Sequence, residues 1–125
     1  MKAIIDSSSL NDPTILNKYI PDKVVINFEP DSSESKYHHN FILTITEENL
    51  ENFISTIQNE IKPGWYAFCW SQKDLHIIFD SKYFSIDLIN GWESVQFLEA
   101  QNFGRSEGIE EEYLNFKKYF EKALG

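Results

Sequence analysis

The chain of 125 residues has the length of one domain, and Ile, Phe, Leu and Val make roughly 30% of it, well above the level at which disorder becomes the default. Its 11 Lys and Arg against 20 Asp and Glu leave a net charge of -9, which repels a phosphate backbone; no basic cluster offsets it, so the balance argues against a nucleic-acid partner. The single cysteine, Cys69, cannot close an intramolecular disulfide, which points to a reducing cytoplasm, and the apolar start Ala3-Ile4-Ile5 is too short for a signal peptide or a membrane span.

Asp12 before Pro13 predicts a helix start, the carboxylate as N-cap and the proline at the first helical position, where its missing N–H is harmless. Ile15, Leu16, Tyr19 and Ile20 form a short apolar stripe that Pro21 ends. Residues 24–29 alternate as a strand, with Val24, Ile26 and Phe28 on one face, and the polar, serine-rich stretch 30–40 is expected to be a loop. Residues 41–46 alternate again. Thr46 then reads as the cap of a helix whose apolar residues Leu50, Phe53, Ile54, Ile57 and Ile61 make one stripe, ended by Pro63 and Gly64.

The centre of the chain carries three strand-like runs, 65–70, 75–80 and 83–88, joined by the short links 71–74 and Ser81-Lys82 that suit antiparallel hairpins. Those turns set Trp70 opposite Leu75, Phe68 opposite Ile77 and Tyr66 opposite Phe79, and then Phe79 opposite Phe84, Ile77 opposite Ile86 and Leu75 opposite Leu88. A slip of one residue would scatter this apolar set over both faces, so the pattern predicts a meander packed on helices. Ser-Lys is a poor pair for a primed turn, which leaves the second link the weak point.

Asn90 with Glu93 reads as a capping pair that opens a helix through Trp92, Val95, Leu98, Ala100 and Phe103. Gly108 followed by Ile109 is expected to close it with a left-handed glycine. Residues 110–112 are acidic and Lys117, Lys118 and Lys122 come later, an order that complements the dipole of one last helix. Together these elements predict a single-domain α+β fold over residues 1–125: an antiparallel sheet of about five strands, in the order strand, strand, helix, three strands, two helices.

The runs Pro63-Gly64-Trp65-Tyr66-Ala67-Phe68, Ile77-Ile78-Phe79, Lys82-Tyr83-Phe84, Ala100 ahead of Phe103-Gly104, and Gly108 through Phe116 together resemble a group of small bacterial proteins. In that group a GWYA strand, a VVF strand and a closing GIPEEQLDF segment recur in this order, in phage and mobile-element settings. The resemblance covers about residues 46 to 116. It departs at Glu110, where the group has proline, and at Asn115, where it has aspartate; the first change favours a continuous last helix. It implies a fold and transfers no catalytic residue.

The predicted register puts Cys69 beside His76 and His76 beside Asp87 on the outer face. A thiol, an imidazole and a carboxylate in contact would make an activated nucleophile, whereas the plainer reading is an ordinary polar row. Mid-strand side chains also lack the backbone donors an oxyanion needs. His38 and His39 are neighbours, and neighbours in an extended segment point apart, so they read as two solvated loop histidines rather than metal ligands. No glycine-rich loop precedes a helix, so neither a cofactor nor a metal is implied.

Trp65, Ala67, Ile78 and Tyr83 share the outer face with Asp80, Ser85 and Asp87. Either a helix covers this face, or Trp65, Ile78, Asp80, Tyr83 and Asp87 form an aromatic patch with acidic neighbours that suits a basic protein partner. The expected function is therefore a small acidic cytoplasmic protein–protein interaction module of the immunity or inhibitor kind, with no catalytic residues. The alternative is a small-molecule binder or enzyme with a cleft near His76, Cys69 and Asp87.

Overall fold

The computed structural model describes residues 1–30 and 36–124. Six strands, β1 (Lys2–Asp6), β2 (Pro21–Phe28), β3 (Tyr37–Thr44), β4 (Ala67–Trp70), β5 (Asp74–Ile78) and β6 (Tyr83–Asp87), form one sheet in the order β2-β3-β1-β4-β5-β6. Every pairing is antiparallel. The helices are α1 (Leu50–Glu60), α2 (Val95–Ser106) and α3 (Phe116–Leu124). The fold is α+β, with one strand more than the sequence pattern predicts.

The additional strand is β1, which pairs with β3 on one side and β4 on the other. Its alternation sends Ala3 and Ile5 to one face of the sheet and Ile4 to the other. On the first face Ala3, Ile5, Leu43, Ala67, Cys69 and Ile78 pack with Phe53, Ile54 and Ile57 of α1, the stripe its spacing predicts. On the second face Phe68, Trp70, Leu75, Ile77, Phe84 and Ile86 pack with Ala100 of α2 and with Phe116 and Phe120 of α3. Each Ile, Leu or Phe among them contributes about 1.5–3 kcal/mol on full burial, so two apolar layers share the work of holding the sheet.

The β4–β5 register is as expected, Trp70 against Leu75 and Phe68 against Ile77. The β5–β6 register differs by two residues: Ile77 faces Phe84, Leu75 faces Ile86 and His76 faces Ser85. The link is Asp80-Ser81 rather than Ser81-Lys82, closed by the Phe79 N–H donating to the Lys82 carbonyl at 2.8 Å. Among the described residues none other than glycine has positive φ, so this turn avoids the primed geometry that Ser-Lys fits badly. A shift of two preserves which face each side chain occupies.

Other boundaries move for local reasons. Asp12 caps as expected, accepting from the Thr14 N–H at 3.0 Å, but Pro13–Lys18 is a 3-10 helix and Ile20 is exposed. β3 begins at Tyr37, so both adjacent histidines lie in a strand; residues 31–35 of the expected loop fall outside the described residues. Thr46 makes no backbone cap; its hydroxyl accepts from the Asn49 side chain at 2.9 Å, and Glu47–Asn49 is a 3-10 turn before α1. The expected Asn90 cap is replaced by Ser94, whose Oγ accepts from the Phe97 N–H at 3.2 Å, after a 3-10 turn at Gly91–Glu93. Gly108, at φ 84°, ends α2 as expected, with the Ile109 N–H donating to the Gly104 carbonyl at 3.0 Å. The continuous last helix is corrected too: Glu111–Leu114 is a 3-10 helix, and Asn115 restarts the chain by accepting from the Lys118 N–H at 3.2 Å.

These caps separate in solution. Ser94→Ala is expected to lower the unfolding free energy by about 1 kcal/mol, the ordinary loss of an N-cap, while Asn90→Ala stays within about 0.5 kcal/mol of the parent. Urea denaturation of both variants checks this, and equal losses would return the cap to Asn90.

Candidate functional site

α1 and its flanking turns bury Ala67, Cys69 and Ile78 on the first face of the sheet, and their cover stops before the outer parts of β5 and β6. There Asp74, His76, Tyr83, Ser85 and Asp87 share the uncovered remainder, Tyr83 being 46% exposed. His76 Nδ1 lies 2.7 Å from Ser85 Oγ, and the imidazole stands edge-on to the Tyr83 ring at 6.2 Å between centroids. Burial pushes the His76 imidazole below its ordinary value, against a smaller opposing pull from Asp74. Asp74 and Asp87 face each other across the strands. Asp87 Oδ1 accepts from the Ile89 N–H at 2.8 Å, but neither carboxylate forms a salt bridge among the described residues. Like charges directly opposite in a sheet repel, and no ion pair among the described residues neutralises these two.

The Cys69, His76 and Asp87 row does not assemble. Cys69 sits opposite His76 as expected, but its thiol is fully buried and pushed up to about 11 by desolvation. Asp87 lies opposite Asp74 because of the two-residue shift, and His76 bonds Ser85 instead. An inert thiol, an imidazole held by a hydroxyl and a displaced carboxylate offer no relay for a nucleophile.

The five expected binding residues separate in the same way. Tyr83 and Asp87 lie together on the exposed face. Ile78 is 0% exposed, inside the first core. Trp65 is half-buried, precedes β4 and stacks near His38 with ring centroids 6.0 Å apart. Asp80 turns toward α2: the Glu107 carboxyl hydrogen-bonds it, which holds Glu107 above its ordinary value, with burial and the Asp80 charge adding. Asp80 Oδ1 is buried with no partner of its own among the described residues.

One polar cluster has no counterpart in the sequence reading. His38 is 6% exposed, and its Nδ1 pairs with Asp6 Oδ2 while its Nε2 lies 3.7 Å from Glu29 Oε2. Asp6 Oδ1 also accepts from the Ser8 N–H at 2.8 Å. The pair ties β1 to β3 beneath Trp65, and His39 points to the opposite, exposed side. The only sequence signal is an alternating pattern through 37–40, and the partner lies 32 residues away.

An open groove of about 870 Å³ is lined by Met1, Lys2, Trp70, Leu88, Trp92 and Phe120, among others, and includes none of the expected site residues. Among the described residues no group of three or more His, Cys, Asp or Glu is placed to hold a metal ion, and no helix is long and apolar enough to cross a membrane. Comparison of the chain with protein-family models, with curated proteins and with solved structures finds no match.

Two measurements check these environments. Native Cys69 at pH 8 is expected to react with a thiol reagent about 100-fold more slowly than a free cysteine, from its thiolate fraction alone, and at the ordinary rate in denaturant. Fast native labelling would place the thiol elsewhere. The raised Glu107 value means the folded state holds that proton more tightly, so its contribution is present in acid and is lost as pH rises through the folded value. Glu107→Gln, whose amide can donate to Asp80 at any pH, is therefore expected to raise the melting temperature at pH 7 and leave it nearly unchanged at pH 4.

Proposed function

We propose that the protein is a small acidic interaction module that contacts a basic protein through the outer β5–β6 face. The observation that carries this reading is the cross-strand Asp74–Asp87 pair, which makes no salt bridge among the described residues, on the same face as the half-exposed Tyr83 ring at the other end of β6. A basic side chain from outside would relieve the repulsion between the two carboxylates, and the aromatic ring would supply contact area. The net charge of -9 steers such a partner toward the molecule over longer range. An immunity or inhibitor role, acting by occlusion, is the form of this reading that accords with the resemblance to small proteins of phage and mobile elements, and the cytoplasm is its proposed setting.

Asp74→Lys separates binding from folding. It turns a repulsive pair into an attractive one, so stability is expected to rise by about 0.5 kcal/mol, while capture of the partner from the source organism's lysate is lost. Glu99→Lys, an equal charge change on an exposed position of α2, should leave capture intact. The captured protein is expected to be basic and to elute as salt rises. Equal capture by wild type and Asp74→Lys, or retention only of acidic proteins, would overturn the proposal.

A further inference from the structure

The two edges of the sheet differ. β6 is short, carries Asp87 and Tyr83 outward, and has α2 packed against its inner face. β2 is eight residues long, and among the described residues no strand pairs with its outer side. Ile26 and Phe28 are 59% and 58% exposed, and Val24 and Val25 are exposed as well. Long apolar edges of this kind are templates for pairing, and proteins ordinarily blunt them with charge, proline or a bulge. Here those devices sit only at one end, where Pro21 opens the strand and a bulge at Asp22 turns that carboxylate onto Lys2 and Thr44.

The hydrogen-bond alternation defines what the open edge offers. The Glu29 N–H donates to the Lys36 carbonyl at 2.6 Å, and bonded pairs recur every second residue of an antiparallel ladder, so Val25 and Asn27 also direct their backbone groups toward β3. Val24, Ile26 and Phe28 direct theirs outward. These three are also the apolar residues of one face. Lys23, Val25 and Asn27 lie on the other face, with Glu29 continuing that row, and Lys23 makes no ion pair among the described residues.

We propose that β2 pairs antiparallel with β2 of a second copy, about a two-fold axis through Ile26, joining two sheets into one continuous sheet. This register sets Ile26 against the partner's Ile26 and Val24 against the partner's Phe28, all through outward-facing backbone groups. On the opposite face it sets Val25 against the partner's Asn27 and Lys23 against the partner's Glu29. Moving the axis by one residue keeps the apolar strand but sets Lys23 against Asn27 or Glu29 against Val25. Only the register centred on Ile26 satisfies the ladder, the apolar row and both charges at once. A strand edge of this length covers roughly 500 Å² per copy, which reaches the ~1,000 Å² total of a specific interface, at its weak end. The dissociation constant expected is on the order of 10 μM. The surface lies at the opposite edge of the sheet from the β5–β6 face, so the two proposals fail independently.

Sedimentation equilibrium at 0.15 M salt, where net repulsion is largely screened, reads the dimer directly. Ile26→Pro removes an outward N–H without touching the ladder to β3 and is expected to weaken association at least ~10-fold with an unchanged circular dichroism spectrum. Lys23→Glu and Glu29→Lys should each be monomeric alone, because each sets like charges across the axis, and a mixture of the two should form a one-to-one heterodimer. Recovery in the mixture also shows that both variants fold. A chain that stays monomeric at about 50-fold above the expected constant, a dimer indifferent to Ile26→Pro, or a mixture that does not associate would each overturn the proposal.

Discussion

Pairing of β1 along both of its edges is the constraint on which the architecture depends. Without it, β2–β3 is an isolated hairpin, marginal by itself in water, and β4–β6 is a three-stranded meander with a truncated edge. Five residues suffice because each works in both directions. Ala3 and Ile5 enter the core beneath α1, and Ile4 packs against the core beneath α2 and α3. Polar contacts fasten the ends: Lys2 pairs with Asp22 and bonds Thr44 at 2.8 Å, and Asp6 pairs with the buried His38. These contacts tie the first strand to the remote hairpin, so the sheet forms only when distant parts of the chain meet.

A central first strand also decides what remains open. The α1 layer covers the first face only as far as Ile78 of β5, while α2 and α3 cover the second face from β4 out to the edge strand β6, and neither layer reaches β2. On one side this leaves His76, Tyr83 and the Asp74–Asp87 pair uncovered; on the other it leaves the apolar strand β2. The chemistry of the two margins differs, one acidic and aromatic, the other an apolar strand in which Asp22 is paired with Lys2 and Lys23 and Glu29 stand at matching distances from Ile26. The cysteine that sequence spacing offers as a nucleophile lies in the packed interior, where burial pushes its thiol up to about 11.

What the sequence displayed and what it concealed follow from the range of the interactions involved. The meander was legible because Phe68, Ile77 and Ile86 repeat at period two on either side of short links, and face assignment survives a shift of two residues. The exact pairing of β5 with β6 was not, because a turn of Asp80-Ser81 and one of Ser81-Lys82 are both short and neither has a glycine to decide it. That shift moved Asp87 away from His76 and dissolved the expected polar row. The α1 stripe and the Gly108 stop were local signals and were read directly. β1 was concealed because Lys-Ala-Ile-Ile-Asp is too brief for periodicity to speak, and the burial of His38 because its partner Asp6 belongs to that same strand. The interruption at Asn115 was also local, since asparagine is a strong N-cap, but the surrounding apolar residues continue at helical spacing across it.

Native-state hydrogen exchange tests the central place of β1 most directly, since amides of a strand paired on both sides exchange only when the whole domain opens. The amides of Ala3 and Ile4 are expected to be as slow as that of Ile77, while the outward amides of Val24, Ile26 and Phe28 in the monomer exchange quickly. Fast exchange at Ala3 and Ile4 with Ile77 still protected would show that the first strand is peripheral, and the sheet described here would be contradicted.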